Sequence, residues 1–315
     1  MRIIFGSILI DMFVRRRTER HGLAGVLLAC AVGLALAATP PCTAADPVWP
    51  AITQPPTSNY VPGKWVWAEL FTENPAVAVE FYGKVFDWTF QSWHAGHGPD
   101  YTLAFSDGDP VGGMLQREHT YQKEKGSRWV GIISVADVKA AAHYAVDHGG
   151  KVIVPPRVLA GRGEVALLAD PEGAPFGVMR SSSGDPPDFQ AEDRQWMWIE
   201  LWAKDPEKMA QFYSGLAGYE IESTERPDGR TDYLLATGDY VRCSIIPSPA
   251  PSLPSAWLPY LRVNDVKAAA AQVAQAGGRV VLAPDPKVRE GRVALVEDPA
   301  GAPIGLAQLP SKDAP

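Results

Sequence analysis

The chain contains an internal repeat long enough to be a second domain. The matched segments are WVWAELF at 65–71 with WMWIELW at 196–202, FY at 81–82 with FY at 212–213, DVKAAA at 137–142 with 265–270, and DPEG at 170–173 with DPAG at 298–301. The first two pairs are 131 residues apart and the last two are 128 apart. Solenoid repeats have periods of about 20–50 residues. The longer period therefore predicts a duplicated domain.

The repeat and its flanks divide the 315 residues into six parts. Two domains are also what this length predicts, since domains usually have about 100–200 residues. The predicted parts are a signal peptide (1–45), a Pro-rich linker (46–63), the first domain (64–181), an interdomain linker (182–194), the second domain (195–309) and a tail (310–315).

The N-terminus has the pattern of an export signal. Arginines at 15–17 and 20 precede an apolar run over 23–38, and small residues follow near Ala45. The run is shorter than the roughly 20 apolar residues that cross a bilayer. We therefore expect cleavage near Ala45 and a periplasmic or secreted protein. A lipoprotein attached through Cys30 and an uncleaved N-terminal anchor are the alternatives, and membrane contact is expected only through these.

Charge and cysteine content exclude two classes of protein. The net charge of -7 gives no basic face for nucleic acid. Cleavage near Ala45 leaves Cys243 as the single cysteine, so no intramolecular disulfide is expected.

Each copy shows one pattern twice: a strand, a helix and three strands. In the first copy, alternation predicts a strand at 65–71, and Asn74 and Pro75 predict a helix start. A second strand and helix follow at 129–135 and 137–148, and Gly149 and Gly150 mark that helix's end.

This βαβββ pattern resembles the vicinal oxygen chelate superfamily of glyoxalases, bleomycin-resistance proteins and extradiol dioxygenases. The FY, GG and DPEG motifs and their partners carry the resemblance. It implies an α+β fold: two tandem glyoxalase-like domains, each of two βαβββ modules whose curled mixed sheet forms a cup. We expect the domains to pair with each other or through a homodimer.

The resemblance also implies a metal site, whose ligand positions this chain fills with other residues. In the first copy the four positions carry Trp67, Gly113, Val130 and Gly177; in the second they carry Trp198, Cys243, Leu258 and Gly305. A single cysteine does not make a metal site. We therefore predict no metal and no cofactor, with a divalent metal at an unconventional site as the alternative. The paired His94 and His97 are interpreted as solvated loop side chains.

Strand alternation predicts what lines the cups instead. On the opening strands, the expected cup-facing residues are Trp65, Trp67, Glu69 and Phe71, and Trp196, Trp198, Glu200 and Trp202. Tyr101, Tyr233, Tyr260 and Arg262 are expected to join them. The predicted ligand-binding set is Trp67, Glu69, Tyr101, Trp198, Glu200, Tyr233 and Tyr260. Aromatic walls with a few polar groups are typical of small-molecule sites.

Three functions fit this pattern. The first is binding of a small aromatic or amphipathic molecule without a metal. The second is a lyase, isomerase or dioxygenase that uses a metal, or Glu69 or Glu200 as a catalytic base. The third is a module that interacts with another envelope protein. A structural role for both glutamates, paired with backbone N–H groups or an arginine, is the further alternative.

Overall fold

The computed structural model describes residues 48–94, 100–116, 126–226 and 228–310. The predicted signal peptide, His97 and His119 lie outside these ranges, as does most of the tail. Within them, no helix has the length and hydropathy needed to cross a membrane.

The first domain contains eight strands and two helices, in the predicted order. They are β1 (Trp65–Thr72), α1 (Pro75–Phe86), β2 (Thr89–Trp93), β3 (Tyr101–Ser106), β4 (Asp109–Gln116), β5 (Arg128–Ser134), α2 (Val138–Asp147), β6 (Lys151–Leu159), β7 (Gly163–Ala169) and β8 (Pro175–Ser181).

The second domain repeats this order. Its elements are β9 (Trp196–Ala203), α3 (Pro206–Ala217), β10 (Glu220–Glu225), β11 (Thr231–Thr237), β12 (Tyr240–Pro247), β13 (Ala256–Arg262), α4 (Val266–Gln275), β14 (Arg279–Leu282), β15 (Val293–Glu297) and β16 (Pro303–Ala307). A short 3-10 turn, Arg289–Gly291, precedes β15.

Each domain forms one eight-stranded mixed sheet, with the order β2-β3-β4-β1-β5-β8-β7-β6 in the first and β10-β11-β12-β9-β13-β16-β15-β14 in the second. The two modules of a domain meet where β1 pairs antiparallel with β5, and β9 with β13. The predicted α+β class and the two tandem domains of paired modules are confirmed.

Local sequence explains where the helices begin and end. Asn74 accepts a hydrogen bond from the Val77 amide, and Pro75 occupies the first helical turn. Asp137 accepts one from the Ala140 amide at the start of α2. After α2, Gly149 has a φ of +90°, a conformation that glycine adopts at little cost.

The predicted cup-facing orientation of the first tryptophan in each repeat is wrong, because a β-bulge turns this residue to the other face of the sheet. Trp65 lies opposite Ile133 and Trp67 opposite Ile132, so Val66 is an extra residue in β1. The bulge interrupts the alternation, and Trp65 turns to the helical face, where it contacts Trp257 of the other domain. An equivalent bulge in β9 turns Trp196 toward Trp88 and Trp129.

The helical faces of the two sheets pack against each other, and the modules pair across the domain boundary. α1 contacts α4 and α2 contacts α3. Two hydrophobic cores result: one joins the first and fourth modules, and the other joins the second and third. The cups therefore open on the outer faces of the molecule, away from this interface.

The repeated motifs meet at this interface. Trp257 Nε1 donates to the hydroxyl of Tyr213 at 2.7 Å, and that hydroxyl donates to Asp170 at 3.0 Å. Trp129, Tyr82 and Asp298 form the matching chain, with distances of 2.7 and 3.2 Å. Asp170 and Asp298 also accept two backbone N–H groups each within their own DPxG turns. These aspartates thus stabilise the turns and join the two domains.

Candidate functional site: two cups that differ in closure

The first cup contains a buried carboxylate bound by three side chains. Glu69 Oε1 accepts hydrogen bonds from Tyr101 at 2.9 Å, Trp67 Nε1 at 3.0 Å and Arg162 Nη1 at 2.9 Å. Only 2% of the Arg162 side chain is exposed, and the guanidinium lies over both aromatic rings. Three predicted site residues of the first copy therefore meet, joined by an arginine that the sequence did not indicate.

Burial dominates the electrostatics of this carboxylate. Desolvation raises the pKa of Glu69 above its usual value, against the opposing effects of Arg162 and the hydrogen bonds. The other oxygen, Oε2, points toward Gly113. A Cβ at that position would lie 1.8 Å from the Tyr101 hydroxyl and 2.5 Å from Oε2. Gly113 therefore makes room for the Glu69–Tyr101 pair at a position where the family has a metal ligand.

A segment before the first domain covers this cup. Residues 48–61, here called the arm, correspond to most of the predicted linker, but Trp49, Ile52 and Thr53 are buried. The Trp49 ring meets the Tyr101 ring edge-on, with centroids 5.2 Å apart. Arg162 Nε donates to the carbonyl of Pro50 at 2.9 Å. The arm is thus part of the first domain's structure, and the prediction of a simple linker is wrong for these residues.

The second cup contains an equivalent carboxylate with both oxygens satisfied. Tyr260 and Trp202 donate to Glu200 Oε1 at 3.0 and 3.1 Å. Ser244 and Arg289 donate to Oε2 at 3.2 and 2.6 Å. Trp198 Nε1 donates to Ser244 at 3.0 Å and so belongs to the same group.

Arg289 decides the ionisation of this carboxylate. Burial raises the pKa of Glu200, but the charge of Arg289 and the hydrogen bonds outweigh it, and the net pKa is lowered. Glu200 is therefore an ionised carboxylate. Arg289 and Glu290 both have positive φ, 45° and 58°, which is unfavourable for residues other than glycine. The 3-10 turn holds this strained backbone while its arginine reaches into the cup.

The second cup is more open than the first. The Arg289 side chain is 17% exposed, against 2% for Arg162. Trp198 and Trp202 are half-buried, whereas Trp67 is buried. Arg226 and Asp232 form a further ion pair of 2.6 Å, with the Asp232 side chain 13% exposed.

Register corrects two predictions in the second copy. Met114 pairs with Leu70, and Ile245 pairs with Leu201; each leucine directly follows a cup glutamate. On the neighbouring strand, Met114 lies opposite Thr102, and Ile245 lies opposite Tyr233. Tyr233 is therefore the equivalent of Thr102 and packs toward the helices, so it does not lie with the cup residues.

The same register gives the equivalent of Gly113. Glu69 pairs with Gly113 and Glu200 with Ser244, so Ser244 occupies the fourth-strand position. Cys243 is instead part of the core on the helical face. Arg262 donates to the carbonyl of Ala191 in the interdomain linker and takes no part in the Glu200 network.

The side chains at the family's ligand positions do not fit a divalent metal. An indole, two glycines and a valine fill them in the first cup; an indole, a serine, a leucine and a glycine fill them in the second. Zinc and iron sites need several imidazole, thiolate or carboxylate ligands. Nowhere among the described residues do three or more His, Cys, Asp or Glu cluster with metal-binding geometry. His94 is exposed and paired with Asp100 at 2.7 Å.

A model of the Glyoxalase/Bleomycin resistance protein/Dioxygenase superfamily matches residues 64–178 and 197–306, one match per domain. The chain belongs to this superfamily. The matched segments cover both cups and both sheets, and they exclude the arm.

Curated relatives and solved structures align with most of this chain and with most of their own length. The chain is 29% identical over 249 residues to "Putative glyoxylase CFP32" of Mycobacterium bovis, covering 79% of this chain and 95% of that protein. It is 26% identical over 264 residues to "Anthracycline biosynthesis protein DauV" of Streptomyces sp. (strain C5), covering 80% and 95%.

Among solved structures, a Mn(II)-bound glyoxalase from Novosphingobium aromaticivorans has a TM-score of 0.53 at 16% identity, covering 79% of this chain and 83% of that chain. The 2,3-dioxygenase LapB from Pseudomonas sp. KL28 has a TM-score of 0.52 at 13% identity, covering 81% and 96%. At such identities the likeness establishes the fold alone.

Proposed function

We propose that this chain is an exported small-molecule-binding protein whose second cup binds a planar aromatic ligand without a metal. The observation that carries the proposal is the Glu200–Arg289 network, set among half-buried aromatic rings. Rings supply stacking area, and a few fixed polar groups orient a ligand.

The state of the two glutamates argues against acid–base catalysis. An effective general base needs a pKa near the working pH and a free lone pair directed at the substrate. Glu200 has a lowered pKa, and each of its oxygens already accepts two hydrogen bonds. Glu69 has a raised pKa but lies beneath the arm. The cups are therefore better suited to binding than to proton transfer.

The network also limits the charge of the ligand. Glu200 is matched by Arg289, and Asp232 by Arg226, so the positive and negative charges in this cup balance. A neutral planar ring system with hydroxyl or carbonyl groups fits this lining. Two curated relatives are named as anthracycline biosynthesis proteins, and the uncharged aglycone of an anthracycline belongs to this chemical class.

The test is a titration of daunomycinone, the uncharged fluorescent aglycone of the anthracycline daunorubicin, with the chain from residue 46 onward. We expect micromolar binding that Trp198→Leu weakens by about tenfold, the scale of one lost aromatic contact. Phe189→Leu, in the interdomain linker and 61% exposed, is the matched control and should bind as the wild type does. Equal binding by both variants would contradict the assignment of the second cup.

The metal content of the purified protein distinguishes a metal-free binding protein from a metalloenzyme. The same chain, purified without chelator or affinity tag, is expected to contain far less than one transition metal per molecule by plasma mass spectrometry. A stoichiometric metal would instead support the enzymatic alternative. Export is tested separately, by fractionating cells and sequencing the N-terminus, which is expected near residue 46.

A further inference from the structure

The arm has two parts that are held differently. Its base, residues 53–61, is anchored to Ser183 and Asp185 after β8. Thr53 Oγ1 donates to the Ser183 carbonyl at 2.9 Å, Thr57 Oγ1 donates to the Asp185 carbonyl at 2.7 Å, and the Val61 amide donates to Asp185 Oδ2 at 2.6 Å. The base is therefore an integral part of the domain.

The tip, residues 48–52, is held mainly by the cup. The Trp49 amide donates to Ala160 at 2.6 Å, and Trp93 Nε1 donates to the Val48 carbonyl at 2.8 Å. A Cβ at Gly161 would lie 2.5 Å from the Trp49 carbonyl oxygen, so this glycine permits the close approach. Apart from these contacts, the tip buries the Ile52 side chain and presents two further groups to the cup, an indole ring and the Pro50 carbonyl.

These two groups match the chemistry of the cup. The indole lies against Tyr101, and the carbonyl accepts from the buried guanidinium of Arg162. Two buried polar atoms of the same network nevertheless lack a hydrogen-bond partner among the residues that the structure describes: Glu69 Oε2 and Arg162 Nη2. Buried polar groups are nearly always satisfied. The tip thus fills the aromatic part of the cup and leaves one acceptor and one donor unused.

We propose that the first cup is a second ligand site, closed by its own tip, for planar aromatic molecules that carry a carbonyl oxygen beside the ring. The ring takes the place of Trp49, and the carbonyl takes the place of the Pro50 carbonyl on Arg162. A hydroxyl or N–H on the ligand reaches Glu69 Oε2. The tip swings out on the anchored base when the ligand enters.

The experiment measures directly whether the tip is docked on the cup. A bimane fluorophore is attached to Val48→Cys, a position 58% exposed. The chain from residue 46 onward lacks Cys30 and Cys42, and its Cys243 is fully buried and should not be labelled. Trp93 contacts residue 48 and quenches bimane while the tip is docked. Titration with indole-3-acetamide, which carries the ring and the carbonyl of the tip, should relieve the quenching in a saturable way. The end point should equal the intensity of the same label in a Trp49→Ala background.

A second variant loosens the tip without altering the cup. Ile52→Val removes one buried methylene that the tip packs against the cup only when it is docked, so the midpoint of the titration should fall about two- to tenfold. Apparent affinity rises with the open fraction. This variant retains Trp49 and does not depend on whether Trp49→Ala folds.

Controls make the outcome decisive. A label on Val281→Cys, on β14 of the second domain, should give no response. Trp198→Ala should leave the tip response unchanged, so failure of the second cup to bind daunomycinone would not affect this test. Constant fluorescence in both the wild type and Ile52→Val would overturn the proposal, as would a response abolished by Trp198→Ala.

Discussion

The phenol of Tyr213, in the second domain, donates a 3.0 Å hydrogen bond to the carboxylate of Asp170, in the first. The same hydroxyl accepts from Trp257, and both groups are buried. Tyr82 and Asp298 make the reciprocal contact. The acidic residues of the repeated DPxG motifs therefore join the two domains.

Removing this hydroxyl should destabilise the whole molecule. Tyr213→Phe leaves an indole N–H without its acceptor and Asp170 without one donor. The expected loss in the free energy of unfolding is about 1–3 kcal/mol, the cost of unsatisfied buried groups. Urea denaturation measures it. Tyr240→Phe, at a residue 53% exposed, is the control and should change stability by less than about 0.5 kcal/mol. Equal midpoints for the two variants would show that the interdomain chain contributes nothing.

Gly113 should not tolerate a side chain. In Gly113→Ala, the new methyl group would lie 1.8 Å from the Tyr101 hydroxyl and would displace it from Glu69. We expect a loss of about 1–3 kcal/mol from overpacking. The matched control is Gly83→Ala in α1, where the nearest atoms are 3.5 Å away; it should stabilise the helix by about 0.5–1 kcal/mol. Denaturation midpoints that move in the same direction would contradict this account.

The two cup glutamates should respond oppositely to pH. Glu200 has a lowered pKa, caused chiefly by Arg289 acting against burial. Its contribution to stability is present above the unfolded pKa of about 4.3 and is lost as the pH falls through the folded pKa. Glu200→Gln should therefore cost about 3 kcal/mol near neutrality, the scale of a broken buried ion pair, and much less near pH 3.

Glu69 has a raised pKa because of burial. Its contribution is present below the unfolded pKa and is lost as the pH rises through the folded one. The stability gap between wild type and Glu69→Gln should not widen from pH 3 to pH 7, whereas the gap for Glu200→Gln should. Urea midpoints of the three proteins at several pH values decide this. Parallel curves for both variants would rule out the difference in ionisation.

The thiol of Cys243 should be inert in the folded protein. It is fully buried, and burial raises its pKa to about 12. A thiolate is the reactive form, so Ellman's reagent should label Cys243 only after unfolding in guanidinium. Rapid labelling under native conditions would mean that the core around β12 opens readily.

The amino-acid sequence by itself determined the duplication, the βαβββ order and the local signals. Asn74, Gly149 and the DPxG turns interact with residues a few positions away in the chain. Their effect can therefore be predicted from the local sequence. Trp67, Glu69 and Tyr101 were also placed together correctly, because strand alternation holds beyond the bulge.

Only the tertiary structure decided what completes each cup and which cup is closed. Arg162 and Arg289 occupy different positions in the two repeats, 161 being the repeat equivalent of 289, so the repeat could not indicate them as partners of the glutamates. The bulges at Val66 and Met197 reverse one tryptophan in each copy. The arm contacts Tyr101 and Arg162, which are 52 and 112 positions away from Trp49 and Pro50 in the chain. Contacts between segments so distant leave no periodic signature, since they depend on how complete sheets pack and curl rather than on local propensity.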